Sequence, residues 1–385
     1  MVDRPFPDAE YETRVNRVRE LMAQVGMDAL FLTTGANLTY LSGYPSPARS
    51  GSRPFILILP LDGDPVFIVQ NGRQFEAKAY SWITDIRTYA ELSRAPLAQI
   101  RQAFADLKLT KGCVGAELGF EQCMDIPFAD FMQLQEDFPE IRFVDVGPVL
   151  WEPRMRKSEA EISYIRKACQ IASQAYEKCF PELREGMTEV EVIHTLYTIS
   201  MKLGGSNPWG VITSGEGNYD FASKGPSSRK IEKGDMVWMD FACCVGGYWS
   251  DFSRAGVVGG PTREQRRAQA LIHEITMLGV EMVKPGVKAS AIAKACNTEL
   301  AKLDLPVTSS ISGLASRIGH GVGLAVTELP HIAEYDDTVL EPGMVITIEP
   351  GVATPYGIFH VEEEVLVTEE GHELLSTAPR ELWTI

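Results

Sequence analysis

The sequence has no apolar stretch approaching the roughly 20 residues that span a bilayer, which argues against a helical membrane protein. It has no run of lysine or arginine. Its 36 basic residues are scattered and outnumbered by 52 acidic ones, for a formal net charge of −16. A chain this acidic is poorly suited to the phosphate backbone of a nucleic acid, which needs clustered cations. It has no Cys-x-x-Cys pair either, so a thiolate metal site is not expected. Seven cysteines, an odd number spread over 385 residues, do not make a disulfide framework. They point to free, mostly buried thiols in a reducing compartment. Met1-Val2-Asp3-Arg4-Pro5-Phe6-Pro7 lacks the basic start and apolar core of a signal peptide, so a cytoplasmic location is expected.

What is present describes a globular chain, 45% hydrophobic and 23% charged. At this length two domains are expected. Residues 1–150 read as an α/β unit. Tyr11, Val15, Val18, Met22 and Val25 recur at helical spacing. Strands are expected at 28–32, 55–59, 66–69, 113–116 and 143–146, the second and third joined by a turn at Asp62-Gly63-Asp64-Pro65. A boundary falls near Trp151-Glu152-Pro153, and a second domain occupies 158–385. Ser158 with Glu161, Thr188 with Glu191 and Thr262 with Gln265 form capping-box patterns that open helices. A faint repeat joins Gly186, Val192 and Lys202-Leu203 to Gly286, Ile292 and Lys302-Leu303, one hundred residues on. This predicts a pseudo-twofold domain with a site where its halves meet.

Four segments of that domain carry chemistry. Asp240 lies inside the apolar run Val237–Ala242, and Asp251 follows eleven residues later in what reads as a hairpin. A buried Asp is expensive unless it is paired or bound to a metal. His320 sits among glycines in Arg317-Ile318-Gly319-His320-Gly321-Val322-Gly323, which is expected to leave its ring open to a ligand. Glu349 ends the β-forming run Val345–Ile348 before Pro350-Gly351. In His360–Val367 the run Glu362-Glu363-Glu364 resembles a solvated edge, but period-2 alternation sets Glu363 on one face and Glu362 and Glu364 on the other, so one of them is expected to point inward. Four carboxylates and one imidazole suit a pair of hard or borderline dications. About +4 of charge is then balanced by four carboxylates. Two such ions about 3.5–4 Å apart share a water and lower its pKa.

The order D-x10-D, GHGxG, EPG and an acidic strand before VLVTE-x-G resembles the pita-bread metallopeptidase family, which includes methionine aminopeptidase, Xaa-Pro aminopeptidase and prolidase, with creatinase as a non-peptidase relative. Asn37–Tyr44 resembles the N-terminal domain of the prolidase and creatinase branch. The resemblance implies an N-terminal creatinase/prolidase-like α/β domain and a C-terminal pita-bread domain. It further implies two divalent ions (Mn, Co, Zn or Fe) held by Asp240, Asp251, His320, Glu349 and Glu362, with Asp251 and Glu362 bridging and Glu349 as general base. Tyr248 and Arg254 match the GY-x-x-D-x-x-R pattern and are expected to support the ligands or the substrate. The chain departs from the family where peptidases place histidines: Ser223, Ser316 and Thr327 stand there, and His360 replaces an arginine. His360 and Thr327 are therefore candidates for catalysis, with His331 as a further substitute beside the substrate.

The leading expectation is a dinuclear metal-dependent hydrolase of a peptide or amide bond, Xaa-Pro peptidase-like, with a bridging hydroxide as nucleophile. The lost histidines keep open a metal-dependent enzyme on a small non-peptide substrate, such as an amidohydrolase or a dimethylsulfoniopropionate lyase. A non-catalytic binding module is disfavoured, because an unoccupied cluster of four carboxylates repels itself. Trp209, Trp238 and Trp249 are expected near the site, as core residues or as a box for a cation. Relatives imply a homodimer acting on a small molecule or short peptide. The loop carrying Arg49, Ser50-Gly51-Ser52 and Arg53 is a candidate for reaching a substrate carboxylate across that interface.

Overall fold

Ala29-Leu30-Phe31-Leu32 offers no polar side chain to water and is buried along its whole length as β1 (Ala29–Leu32). The computed structural model describes residues 4–45 and 53–385, which divide into two units, Met1–Arg154 and Met155–Ile385. In the first unit β1 is followed by β2 (Ile56–Pro60), β3 (Val66–Gln70), β4 (Asp85–Tyr89), β5 (Gly112–Ala116) and β6 (Ile141–Asp145). They form one mixed sheet in the order β4-β3-β2-β1-β5-β6. β2 runs antiparallel to β1 and β3, and the other pairs are parallel. The turn joining β2 to β3 has Gly63 at φ 99°, a conformation suited to glycine.

The Asn37–Tyr44 segment begins in the helix Gly35–Ser42. Buried Glu117 accepts from Thr33 N at 2.8 Å, Thr34 N at 2.9 Å and Asn37 Nδ2 at 2.8 Å. A carboxylate at a helix start satisfies amides that have no partner within the helix. Arg154 Nη1 donates to Asn37 Oδ1 at 2.7 Å, which closes a buried polar network. Of the loop 46–53, only Arg53 is among the described residues. It is exposed, and Arg49 and Ser50–Ser52 lie outside them.

The second unit carries four long helices, Glu159–Cys179, Glu189–Lys202, Arg263–Met282 and Ala289–Leu300. Ser158, Thr188 and Thr262 each close a reciprocal capping box. The strands are β7 (Ser206–Ser214), β8 (Met236–Val245), β9 (Tyr248–Trp249), β10 (Phe252–Val257), β11 (Ser309–Ser310), β12 (His320–Gly321), β13 (Glu328–His331), β14 (Val345–Ile348), β15 (Gly351–Thr354), β16 (Gly357–His360), β17 (Glu363–Val367), β18 (His372–Leu374) and β19 (Trp383–Thr384). They make three sheets: β19-β10-β8-β7 with β9 on β8, β11-β15-β16, and β13-β12-β14-β17-β18. The acidic run is therefore not one strand: Val361 and Glu362 link β16 to β17. No helix among the described residues is long and apolar enough to cross a membrane.

The internal repeat is written in backbone hydrogen bonds. Gly186 N donates to Ile231 O at 2.8 Å, and Gly286 N to Leu340 O at 2.9 Å. Glu189 N meets Arg229 O, and Ala289 N meets Thr338 O, both at 2.9 Å. Gly186 and Gly286 share φ near +86° (87° and 85°). The helices repeat after one hundred residues and the strands after 109, as Ile231 maps to Leu340 and Arg229 to Thr338. The same 109-residue offset carries Asp240 onto Glu349, so the two halves place an acid at equivalent positions.

The helix Arg263–Met282 packs Ile272 and Ile275 into the core that contains Ile346 and Ile348. Gly279 permits its approach: a Cβ there would lie 2.8 Å from Ile348 Cγ2 and 2.9 Å from Cys296 Sγ. Gly279→Val is expected to destabilise the protein by about 1–3 kcal/mol through overpacking. A thermal melt should show the midpoint several degrees lower, and an unchanged midpoint would contradict this packing.

Candidate metal centre

Apolar strands, or the short links at their ends, bring each acid inward. Asp240 sits mid-strand in β8 opposite Ser253 of β10. Asp251 lies in the bend between β9 and β10, its N–H held by Glu364 Oε2 at 2.8 Å. His320 begins β12, Glu349 follows β14, and Glu362 lies in the link before β17. The glycines around His320 serve the backbone rather than the ligand. A Cβ on Gly319 would lie 2.0 Å from Thr347 O, and one on Gly321 would lie 2.2 Å from Leu329 O. They let three chain segments close around the imidazole, so the expected reason for them is corrected.

His320 Nδ1 lies 3.0 Å from Gly321 O. A carbonyl only accepts, so Nδ1 carries the proton and Nε2 the lone pair. Nε2 faces Asp251 Oδ2 at 3.4 Å and Glu349 Oε1 at 3.5 Å. Glu349 Oε2 lies 3.4 Å from His360 Nε2, so one carboxylate stands between two imidazoles. One donor atom each from Asp251, His320 and Glu362 lies within 4.8 Å of the others. Asp240 Oδ1, Asp251 Oδ1 and Glu362 Oε2 are buried with no hydrogen-bond donor.

These orphaned oxygens test whether the residues fit divalent ions, and they do. Burial, then the charges of neighbouring acids, push Asp251 and Glu362 well above the carboxylate range. Burial raises Asp240 to about 6. Burial works the same way on Glu349, but His360 and His320 hold it at about 2. Burial lowers the basicity of His320, which keeps it a neutral donor. Acids that cannot all ionise together need cations between them.

The three consecutive glutamates are all buried, which overturns both the solvated edge and the single inward acid. Each has its own partner. Glu362 faces the cluster. Glu363 receives Arg254 Nη2 and Arg380 Nε, both at 2.9 Å. Glu364 accepts from Cys169 Sγ and from the Asp251 amide, and burial raises it to about 8.

A cavity of about 790 Å³ opens over the cluster. It is lined by Asp240, Asp251, His320, Glu349 and His360, together with Ser223, Thr327, Trp209, Trp238 and Arg317. Four expectations are corrected. Tyr248 does not line the cavity, because its hydroxyl is bound to Glu161 Oε1 at 2.7 Å. Arg254 does not either, because its guanidinium is spent on Glu363 and on the carbonyls of Ser253, Glu362 and Ala378. His331 lies behind Arg317, whose Nη1 donates to its Nδ1 at 3.0 Å. The tryptophans make no box: Trp249 is off the cavity wall, and Trp238 is buried against His360. Sequence reading assigned no role to Arg317 or to Ser253, whose Oγ lies 2.9 Å from His360 Nδ1. Arg317 stood in view three residues before His320, but only the tertiary structure turns it into the cavity.

A family model described as metallopeptidase family M24 matches residues 163–369, and one for the creatinase/prolidase N-terminal domain matches 14–156. The Xaa-Pro dipeptidase of Pyrococcus horikoshii is 30% identical over 371 residues, 96% of this chain and 98% of the relative. The crystal structure of prolidase from Pyrococcus horikoshii OT3 superposes with a TM-score of 0.81 at 28% identity, covering 96% of this chain and 99% of that one. Recombinant prolidase from Thermococcus sibiricus gives a TM-score of 0.86 at 25% identity, covering 97% and 99%.

The raised acids predict how stability depends on pH. Asp240, Asp251, Glu362 and Glu364 keep their protons to higher pH folded than unfolded. Their stabilisation is full below the ordinary carboxylate range and is lost as pH rises through about 6 for Asp240 and about 8 for Glu364. After chelation the melting midpoint should fall steadily from mildly acidic to mildly alkaline pH, and added Mn²⁺ should flatten that slope. A chelated protein with no such slope would contradict the repulsion argued above.

Proposed function

Because the chain belongs to metallopeptidase family M24 and is a metallohydrolase with that family's two-domain pita-bread architecture, we propose that it cleaves the Xaa-Pro bond of dipeptides, or a closely similar short amide, at a dinuclear centre. The observation that carries this reading is the convergence of two aspartates, two glutamates and one proton-free imidazole nitrogen on a single site. Asp240, Asp251, His320, Glu349 and Glu362 would hold the ions. When bound, two dications of Mn, Co, Zn or Fe supply Lewis acidity and hydroxide at neutral pH.

The side chains divide the remaining work. Glu349, ionised between its two imidazoles, accepts the proton of the attacking water. His360 delivers a proton to the departing nitrogen. Its ring is held by Ser253 at Nδ1 and by the edge-on Trp238 at 5.3 Å, and Gly351 leaves room for it, since a Cβ there would lie 2.5 Å from His360 Cδ2. Ser223 and Thr327 hydrogen-bond the peptide where the family's histidines would stand, and Trp209 forms an apolar wall.

Incubation of the Mn²⁺-loaded protein with Leu-Pro and Gly-Pro should release free proline, and chelation should abolish it. Glu349→Gln is expected to lower kcat by about 10²–10⁴-fold, the range for loss of a general base. Full metal occupancy with no proline released from any Xaa-Pro dipeptide would overturn the reading.

A further inference from the structure

Two cations line the cavity, and they are bonded differently. Lys224 is committed: its Nζ lies 2.5 Å from Glu189 Oε2. The buried arginine behind the cluster, Arg254, is likewise paired with Glu363. Arg317 forms no ion pair among the described residues. Its Nη1 donates to His331 Nδ1 at 3.0 Å, and Nη2 makes a long 3.5 Å contact with Thr327 Oγ1. An arginine cannot accept, so His331 Nδ1 presents a lone pair. Both partners orient the guanidinium without neutralising it.

The charge balance of the cavity leaves Arg317 in surplus. Four ligand carboxylates offset two dications, and Glu189 offsets Lys224. The other acid on the wall, Asp220, is exposed and accepts from Thr308 Oγ1 at 2.7 Å. A guanidinium fixed by neutral groups at the edge of a site presents a planar fork that matches a carboxylate. We propose that Arg317 binds a carboxylate of the substrate and thereby sets its class, an inference that rests on the peptidase reading. That carboxylate is either the free α-carboxylate beside the scissile bond or an acidic side chain on the residue before it.

The test compares Mn²⁺-loaded wild type, Arg317→Gln and Arg317→Lys on Leu-Pro, Leu-Pro amide and Asp-Pro amide. Loss of a charge-assisted pair is worth about 10–100-fold in KM. If the α-carboxylate is read, wild type prefers Leu-Pro to its amide, and Arg317→Gln collapses that preference to near one by raising KM more than it lowers kcat. If a side-chain carboxylate is read, the collapse falls on Asp-Pro amide relative to Leu-Pro amide. Arg317→Lys should restore part of either preference, since it keeps the charge and loses the fork. Calorimetric binding of N-acetyl-L-proline and N-acetyl-L-aspartic acid α-amide to the loaded proteins reads the same contact without turnover. Equal binding of both probes by wild type and Arg317→Gln, with equal melting midpoints, would overturn the proposal even if hydrolysis proceeds. Tight probe binding that needs Arg317, with no dipeptide cleaved, would instead uphold the anion contact and overturn the peptidase reading.

Discussion

Mutual repulsion among buried acids is the constraint on which the rest of this structure depends. Asp240, Asp251, Glu349 and Glu362 are held around one space in a low-dielectric interior, where unpaired charge is costly. Among the described residues no lysine or arginine forms an ion pair with any of the four; Arg317 acts on Asp251 and Glu349 only through its field. The fold gives arginines to Glu363 instead, and leaves a carboxylate oxygen on each of Asp240, Asp251 and Glu362 without a donor. This partition separates acids satisfied by protein donors from acids with unpartnered oxygens, and within three consecutive residues it gives Glu362 a different fate from Glu363.

The internal repeat explains how such a cluster is assembled. Each half provides a helix that starts on a glycine turn and a returning strand, joined by the same backbone hydrogen bonds. Equivalent strands meet across the site, so one acid from each, Asp240 and Glu349, arrives at the centre. Close approach is enforced by carbonyls packed against Gly319 and Gly321. Asp240 and His320 lie in strands, and Asp251, Glu349 and Glu362 lie immediately at strand ends, which fixes the geometry of the cluster.

Hydroxyl side chains stand beside that centre. Ser223, Thr327 and His360 line the cavity, at positions where the resemblance of the sequence motifs implies two histidines and an arginine. Positive charge has not left the cavity: Arg317 supplies it from the other side of His320, steadied by His331 and Thr327.

The two-domain α/β architecture, the capping boxes and the five residues that the fold brings to one cluster were legible in the chain. Each depends on local spacing or on a short motif: a serine three residues before a glutamate, a glycine-flanked histidine, an acid inside an apolar run. The destination of neighbouring side chains was not. Glu362, Glu363 and Glu364 look alike in sequence, and only the break between β16 and β17, with Arg254, Arg380 and Cys169 brought from distant segments, gives each a different partner. Tyr248 and Arg254 matched a motif but are consumed by Glu161 and Glu363, while Arg317 matched none and lines the cavity. Periodicity reports which face of an element is buried. What a buried polar group meets there is decided by long-range packing, because its partner comes from elsewhere in the chain.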